Sequence, residues 1–265
     1  MENSERLIVA ADFDPRQCGG RPGVRSAVAT LARDLRGLGV VLKVNSALRD
    51  RGYGFIADLR AFGIGVFADL KLCDIPATMA FDAALLLENP PDILTVMCSA
   101  GVEGMRAVKG VLGERTMVLG VTVLTSLGYG ELQALGFMPS DILRDGRATI
   151  EARRMEQLVV SYAKLAQRAG LDGVIASPQE AAAIQQACGK GFQIVTPGIR
   201  PDWAQVPGDD QKRTATPAEA IKAGARRIVI GRPITQAAPN DKDLPQSPRE
   251  AVELTLTEIA AAVAA

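Results

Sequence analysis

Histidine is absent from the 265 residues of this chain. The absence removes the commonest general base and the commonest metal ligand, so any proton transfer falls to Lys, Asp, Glu, Tyr or Cys. The four cysteines form no CxxC pair, which argues against a disulfide framework and predicts buried thiols in a reducing compartment. No spacing of candidate ligands indicates a metal site.

Long apolar runs and an excess of one charge are missing as well. No run reaches the roughly 18 residues that a membrane span needs. The beginning of the chain is too acidic, and its first apolar stretch too short, for a signal peptide. Lys plus Arg equals Asp plus Glu, at 30 each, which argues against a nucleic-acid groove built on bulk positive charge. We therefore expect a cytoplasmic protein with a small-molecule ligand, and neither nucleic acid nor membrane as a partner.

Apolar sequence is abundant and is arranged in short runs. Hydrophobic residues make up 48% of the chain, which is enough for a large buried core. Eight runs are nearly continuous in hydrophobicity rather than alternating, as is typical of parallel strands buried on both faces. These predicted strands are Leu7–Ala11, Val40–Val44, Gly65–Ala68, Ile93–Met97, Met117–Leu124, Gly173–Ala176, Gln193–Thr196 and Arg227–Ile230.

Amphipathic segments rich in Ala and Leu lie between these runs. Eight strands alternating with eight helices predict an α/β fold, a single (β/α)8 TIM barrel over residues 1–265, for which about 250 residues are normal. An open doubly wound sheet is the alternative, but it usually has a Gly-rich turn after its first strand, where this chain has Asp12-Phe13-Asp14-Pro15. The clearest predicted helices are Val24–Leu38, Met79–Leu87, Arg153–Ala169, Gln179–Cys188, Pro217–Ala223 and Arg249–Ala264.

Charged residues at the predicted strand ends indicate an active site, because a barrel carries its site at the C-terminal mouth of the strands. Asp12 follows the first strand, and Lys43 lies in the second. Asp69 and Lys71 are two residues apart, so an extended third strand places both on one face. Such a group, with Asp74 nearby, is costly to desolvate and favours catalysis over a merely structural ion pair.

A second group of residues follows the seventh and eighth strands, where barrels often bind phosphate. Pro197 and Arg200 follow strand seven, and Gly231 and Arg232 follow strand eight. Glycine lets a phosphate approach the backbone, and arginine offers a bidentate fork. Gln211 lies in the long connection over 197–216, which, like the connection over 125–150, is long enough to form a lid or binding loop.

Several segments match a known family in their order and spacing. The segment Asp69-Leu70-Lys71-Leu72-Cys73-Asp74-Ile75-Pro76-Ala77-Thr78 resembles the DxKxxDIPxT signature of orotidine 5'-phosphate decarboxylases. The agreement extends from Leu7 to about Ala237, and several motifs together are more specific than any one of them. The further matching segments are Val121–Ser126, Gly170–Val174, Thr196–Pro201 and Val229–Thr235.

The resemblance implies an activity and a role for each matched position. The activity is decarboxylation of orotidine 5'-phosphate to UMP, the last step of pyrimidine nucleotide synthesis, without a cofactor. Lys71 would donate the proton within a charged tetrad that includes Lys43, Asp69 and Asp74. Asp74, Ile75 and Thr78 would reach into the site of the partner subunit, which implies a homodimer with shared active sites. The remaining substrate contacts would come from Asp12, Thr125, Ser126, Pro197, Arg200, Gln211, Gly231 and Arg232.

The chain departs from the family pattern at three positions outside the tetrad. Cys73 and Cys98 stand where the family often has histidine, and Asn45 where it has glycine. A metal-dependent barrel enzyme for phosphosugars, such as a hexulose-phosphate synthase, is the nearest alternative because it shares the DxKxxD core. The run Ile75–Thr78 favours the nucleotide substrate over the phosphosugar. An inactive binder of phosphate ligands is the alternative of another class, and the complete tetrad argues against it.

Overall fold

The computed structural model describes residues 2–139, 147–204, 214–237 and 244–264. Eight parallel strands pair in sequential order, and β1 lies beside both β2 and β8, so the sheet closes into a barrel. The (β/α)8 barrel predicted from the sequence is thereby confirmed. The strands are β1 (Leu7–Ala10), β2 (Val41–Val44), β3 (Gly65–Leu72), β4 (Ile93–Met97), β5 (Met117–Val121), β6 (Gly173–Ile175), β7 (Gln193–Thr196) and β8 (Arg227–Ile230).

Helices surround the barrel and connect its strands. In the described part of the chain they are α1 (Pro15–Cys18), α2 (Gly20–Asp34), α3 (Ser46–Arg51), α4 (Phe55–Arg60), α5 (Pro76–Leu85), α6 (Gly101–Leu112), α7 (Tyr129–Ala134), α8 (Arg147–Arg168), α9 (Ala181–Cys188), α10 (Pro217–Lys222), α11 (Arg232–Thr235) and α12 (Pro248–Ala264). A capping box begins α10: the Thr216 hydroxyl accepts from the N–H of Glu219 at 3.2 Å, and the Glu219 carboxylate accepts from the N–H of Thr216 at 2.8 Å.

The predicted strand bounds agree with the structure to within one residue, apart from the ends of β3 and β5. Strand β3 continues past the predicted end at Ala68 to Leu72, through an irregularity described below. Strand β5 ends at Val121 rather than at Leu124. The neighbouring β6 ends at Ile175, whose carbonyl accepts from both the N–H and the hydroxyl of Thr122. Among the described residues, the pairing of β5 with β4 and with β6 ends at Val121.

The barrel wall separates the apolar core into two parts. The larger part lies between the barrel and its helices and includes Leu42, Val66 and Leu94. The smaller part fills the barrel and is formed by Ile8, Ala10, Phe67, Ile93, Leu119, Val195 and Val229, with Val41, Met117 and Ile175 packed against them. Because side chains alternate along a strand, every second residue points into the barrel, and the last inward residues face its mouth.

The cysteines differ in exposure more than the sequence predicts. All four are free, and Cys98 is buried, as expected. Cys73 is exposed, and Cys18 and Cys188 are only half-buried, so the prediction of buried thiols is wrong for Cys73. Cys73 follows the end of β3 at the rim of the barrel, where neither the strands nor the helices cover it. Among the described residues, no helix is both long and apolar enough to span a bilayer.

Candidate active site at the barrel mouth

A pocket of about 1000 Å³ opens at the C-terminal ends of the strands. Inward side chains of the strands, such as Phe67, Val121 and Ile175, form its floor, and loops after β1, β5, β7 and β8 form its walls. The structure brings most of the predicted site residues together here. Those that line the pocket are Asp12, Lys43, Asp69, Lys71, Thr125, Pro197, Arg200, Gly231 and Arg232.

Four of these side chains form a row of alternating charge. The Lys43 ammonium donates to Asp12 Oδ2 at 2.7 Å and to Asp69 Oδ2 at 3.2 Å. The Lys71 ammonium donates to the same Asp69 oxygen at 2.7 Å. Lys43 lies two residues beyond Val41, and Asp69 two residues beyond Phe67, so both continue the inward-facing series of their strands. The barrel geometry therefore brings charges from three neighbouring strands to one point.

Lys43 and Asp69 lie deep in the site and stabilise each other's charge. Their side chains are 11% and 10% exposed, against 31% for Lys71. Burial alone would lower the pKa of Lys43, but the carboxylates of Asp12 and Asp69 outweigh burial and hold that pKa above its usual value. Burial would likewise raise the pKa of Asp69, but the ammonium groups of Lys43 and Lys71 hold it below its usual value. Both residues are therefore charged at neutral pH.

Strand β3 is irregular where it carries Asp69 and Lys71. The pairing of β3 with β4 shifts register between Ala68 and Leu72, and Lys71 has a φ of 51°, the only positive φ at a non-glycine residue in the described ranges. Such a conformation costs about 1–3 kcal/mol and is common at active sites, where bulges re-aim side chains. The sequence predicts that Asp69 and Lys71 share one face of an extended strand. Their side chains do meet, but the backbone between them is a bulge rather than a regular pleat.

Thr95 is part of the site, and sequence reasoning missed it. Its fully buried hydroxyl donates to Asp69 Oδ1 at 2.9 Å and accepts from the backbone N–H of Lys71 at 3.0 Å. Thr95 lies two residues beyond Ile93 and so points into the barrel from β4. The sequence offers only a weak signal: Thr95 is the one hydroxyl residue in the apolar run Ile93–Met97, but other predicted strands contain threonine as well.

The loop after β1 also contributes residues that sequence reasoning did not identify. Phe13, Arg16 and Gln17 line the pocket beside Asp12. The Arg16 guanidinium donates to the Asp14 carboxylate at 2.8 Å and lowers the pKa of that carboxyl. This exposed ion pair lies at the rim of the pocket, where solvent reaches it and where we assign it no chemistry.

The predicted phosphate residues line the same pocket from the loops after β7 and β8. Strand β7, which Arg200 follows, stands opposite β3 in the closed barrel, whereas β8, which Arg232 follows, is the neighbour of β1. The backbone at Arg200 is fixed, since its N–H donates to the carbonyl of Ala215 at 2.9 Å. The pocket thus combines ammonium and carboxylate groups from β1 to β3 with guanidinium groups from the loops after β7 and β8. Gln211 lies outside the described residues.

Four predicted site residues do not line this pocket: Asp74, Ile75, Thr78 and Ser126. Asp74 is exposed, and its carboxylate accepts from the N–H of Ile75 at 2.7 Å. Ile75 is 65% exposed, and farther along α5 Phe81 is 70% and Leu85 64% exposed. The structure of one chain therefore separates Asp74 from Lys43, Asp69 and Lys71 and places it beside an exposed apolar surface.

The described side chains do not meet the requirements of a metal site. Within the residues that the structure describes, no three Cys, Asp or Glu side chains are grouped so that they could hold a metal ion. The two carboxylates at the charged end, Asp12 and Asp69, each accept a hydrogen bond from Lys43.

Comparison with known proteins identifies relatives over almost the whole chain. Residues 5–244 match the sequence profile of the "Orotidine 5'-phosphate decarboxylase / HUMPS family". A protein of Heliobacterium modesticaldum named orotidine 5'-phosphate decarboxylase is 39% identical over 246 residues, covering 89% of this chain and 91% of its own length. One of the same name from Syntrophus aciditrophicus is 40% identical over 244 residues, covering 89% and 88%. The crystal structure of orotidine 5'-phosphate decarboxylase from Lactobacillus acidophilus has a TM-score of 0.72 at 30% identity and covers 96% of this chain and 99% of its own.

Proposed function

Since the chain belongs to the orotidine 5'-phosphate decarboxylase / HUMPS family, we propose that it converts orotidine 5'-phosphate into UMP and carbon dioxide. The observation that carries the proposal is the row Asp12–Lys43–Asp69–Lys71 in a pocket that Arg200 and Arg232 also line from the loops after β7 and β8. A nucleotide has a reactive ring and a phosphate group, and the charged row suits the first while the arginines suit the second.

These two groups of residues set the orientation of the substrate. Arg200, Arg232 and the open backbone at Gly231 hold the phosphate, because guanidinium groups bind phosphate oxygens in a bidentate manner. Asp12 contacts the ribose, and Thr125 lies by the base. Carbon 6 of the pyrimidine ring, which carries the carboxylate, then lies against Lys71 and Asp69. The volume of about 1000 Å³ suits a ligand of this size.

Lys71 performs the proton transfer in this proposal. The bond between carbon 6 and the carboxylate carbon breaks, carbon dioxide leaves, and the electron pair stays on carbon 6. The Lys71 ammonium stabilises this growing negative charge and then gives a proton to carbon 6, which yields UMP and a neutral lysine that regains its proton from water. A cation fixed in place beforehand, as Lys71 is by Asp69 at 2.7 Å, needs little reorganisation during the reaction.

Asp69 and Lys43 prepare the site for that step. The Asp69 carboxylate is ionised and lies beside the carboxylate of the bound substrate, so the departure of carbon dioxide relieves a repulsion between like charges. Lys43 balances the charge of both Asp12 and Asp69 and holds the two carboxylates at fixed distances. Binding of the remote phosphate group supplies energy that brings these side chains and the substrate together.

A second copy of the chain completes the site in this proposal. Asp74, Ile75 and Thr78 lie away from the pocket of their own chain and beside the exposed side chains of Phe81 and Leu85. Exposed apolar surface of this kind favours contact with another protein surface. We propose that α5 contributes to a homodimer and that Asp74 enters the pocket of the partner subunit as the fourth member of the tetrad.

The alternative is the metal-dependent phosphosugar enzyme considered from the sequence. Such an enzyme needs carboxylates for its metal ion, whereas Asp12 and Asp69 here receive hydrogen bonds from lysine ammonium groups. The pattern of donors therefore favours the nucleotide substrate and a reaction that runs without a divalent cation.

One absorbance assay tests the proposal. Purified protein is mixed with orotidine 5'-phosphate, with and without EDTA, and the loss of substrate absorbance is followed. We expect turnover at the same rate in both samples. Absence of turnover would refute the proposed function, and loss of turnover in EDTA would favour the metal-dependent alternative.

Lys71→Ala then tests the role of the proton donor. We expect this variant to lose nearly all turnover while it still binds UMP. Lys109→Ala is the matched control, because Lys109 is also ion-paired, with Asp172 at 2.8 Å, but does not line the pocket. Normal turnover by the Lys71 variant would rule out its assigned role.

A further inference from the structure

We propose that Thr95 is a positioning residue for the decarboxylation, whose hydroxyl fixes Asp69 and Lys71 relative to each other. The inference rests on the function proposed above, since it concerns how the reacting groups are held. Thr95 does not line the pocket, so it acts through its two neighbours rather than on the substrate.

The hydrogen bonds of Thr95 have only one consistent direction. A hydroxyl has one proton to donate, and the backbone N–H of Lys71 is only a donor. The Thr95 proton therefore goes to Asp69 Oδ1 at 2.9 Å, and its oxygen accepts from Lys71 at 3.0 Å. One buried atom thus links the side chain of Asp69 to the backbone of Lys71.

The bulge in β3 makes the bond to Lys71 necessary. The register shift leaves the Lys71 N–H opposite the side chain of Thr95 instead of a backbone carbonyl of β4. A buried amide without an acceptor would be unfavourable, and the φ of 51° at Lys71 needs support from its surroundings. Arg49 supplies a second anchor, since its guanidinium donates to the carbonyl of Leu70 at 2.8 Å.

The bond to Asp69 sets the direction of its carboxylate. Asp69 Oδ2 accepts from both Lys43 and Lys71, whereas Oδ1 accepts from Thr95. Rotation of the carboxylate would break all three bonds, so Thr95 keeps Oδ2 between the two ammonium groups. The position of the Lys71 nitrogen, which is held by Oδ2, therefore depends on a hydroxyl that lies below the pocket.

Two pairs of proteins, each differing mainly by one hydroxyl, test the proposal. Thr95→Val replaces the hydroxyl by a methyl group of similar size, and Thr95→Ser and Thr95→Ala differ from each other by the hydroxyl alone. We expect the Val and Ala variants to lose about 10-fold to 100-fold in kcat, as for loss of a hydrogen bond to a charged group. We expect the KM for orotidine 5'-phosphate to stay within about threefold, because the lost interaction serves the reacting groups.

The Ser variant and the pH dependence separate positioning from a merely structural role. Thr95→Ser keeps both hydrogen bonds, so we expect its kcat within about threefold of the unchanged protein. Loss of a donor raises the pKa of Asp69, so the acidic limb of the kcat profile moves to higher pH in the Val and Ala variants only. The charged groups facing Asp69 from the neighbouring strands, Lys43 and Lys71, are the same in every variant, and Asp12 acts on it through Lys43.

Thr116→Val is the matched control for stability. Thr116 is equally buried and donates to the carbonyl of Pro91 at 2.7 Å, ahead of β5 at the opposite end of the barrel. We expect it to lower the unfolding temperature and to leave kcat and its pH profile unchanged.

The possible results lead to separate conclusions. If the unchanged protein does not decarboxylate orotidine 5'-phosphate, the proposed function is wrong and this inference with it. If it does decarboxylate the substrate, two results would show that Thr95 has no positioning role. One is an unchanged kcat in the Thr95→Val and Thr95→Ala variants, and the other is a loss of kcat in Thr95→Ser as large as that in Thr95→Ala. If Thr95→Val does not fold, the comparison of Ser with Ala decides the question.

Discussion

Lys43→Met is the perturbation from which the structure allows the most detailed prediction. Methionine keeps an unbranched side chain of similar length and removes only the ammonium that bonds to Asp12 and Asp69. At 3.2 Å from Asp69, that charge contributes an attraction of about 5 kcal/mol at an effective dielectric constant of about 20. Burial of the ammonium opposes this attraction, so the net contribution is smaller.

The expected loss of stability follows from what remains after the substitution. Removing one partner of a buried ion pair typically costs about 3–5 kcal/mol, because the other charge is left buried alone. Asp69 keeps Lys71 and Thr95, however, and the Asp12 side chain is 56% exposed and regains water. We therefore expect the free energy of unfolding to fall by about 2 kcal/mol at neutral pH, and turnover to fall as well.

The loss should depend on pH in a defined way. The pKa of Asp69 is depressed in the folded protein, so its stabilisation is present above the unfolded pKa of about 3.9 and is lost as the pH falls through the folded pKa. The pKa of Lys43 is raised, so its contribution is present below the unfolded pKa of about 10.4 and is lost as the pH rises through the folded pKa. The difference in the free energy of unfolding between the unchanged protein and Lys43→Met should be constant near neutral pH. It should become smaller below about pH 4.

Urea unfolding across this pH range measures the effect. Lys109→Met is the control, because Lys109 pairs with Asp172 at 2.8 Å and is 13% exposed, but lies outside the pocket. It should lose stability to a similar extent and keep full turnover. Equal stability of Lys43→Met and the unchanged protein at pH 7, or a difference that does not narrow in acid, would refute the reasoning.

Three further predictions concern other parts of the molecule. Arg232→Ala should lower kcat/KM for orotidine 5'-phosphate by about tenfold or more and leave kcat/KM for plain orotidine nearly unchanged in the absorbance assay; equal losses would contradict the phosphate assignment. Phe81→Asp places a charge on the exposed surface of α5 and should turn the proposed dimer into a monomer in sedimentation, whereas a dimer that persists in this variant would remove α5 from the proposed interface. Burial raises the pKa of Cys98 to about 12, so a thiol reagent should modify the exposed Cys73 first and Cys98 only on unfolding; the reverse order would contradict the burial.

The barrel was predictable because its strands have a strong and local signal. A parallel strand covered on both faces is apolar at most of its positions, and the runs at Ile93–Met97, Gln193–Thr196 and Arg227–Ile230 coincide with strands to the residue. The position of the site at the C-terminal mouth follows from the same architecture. The gathering of Lys43, Asp69 and Lys71 could be predicted for this reason.

The details of the site depend on contacts between distant residues and could not be predicted. The bulge at Lys71 contains no glycine, which would have indicated a positive φ. The sequence of this segment therefore predicts a regular strand. Thr95 bonds to a carboxylate 26 residues away, and a threonine in a strand is too common to single out. The residues alone grouped Asp74 with the charged row, but it does not line the pocket of its own chain. Its proposed entry into the partner subunit's site, with Ile75, came only from the family resemblance.

The interior of the barrel has a consequence for engineering this protein. Lys43, Asp69 and Thr95 each lie two residues beyond an apolar side chain that fills the barrel, so they occupy places in which a designer would put valine, leucine or isoleucine. Replacing buried ionic groups together by well-packed apolar residues is often neutral or stabilising. A library of variants screened for heat resistance alone would therefore enrich well-folded proteins that no longer turn over substrate. Lys43, Asp69 and Thr95 should be held constant in such a screen.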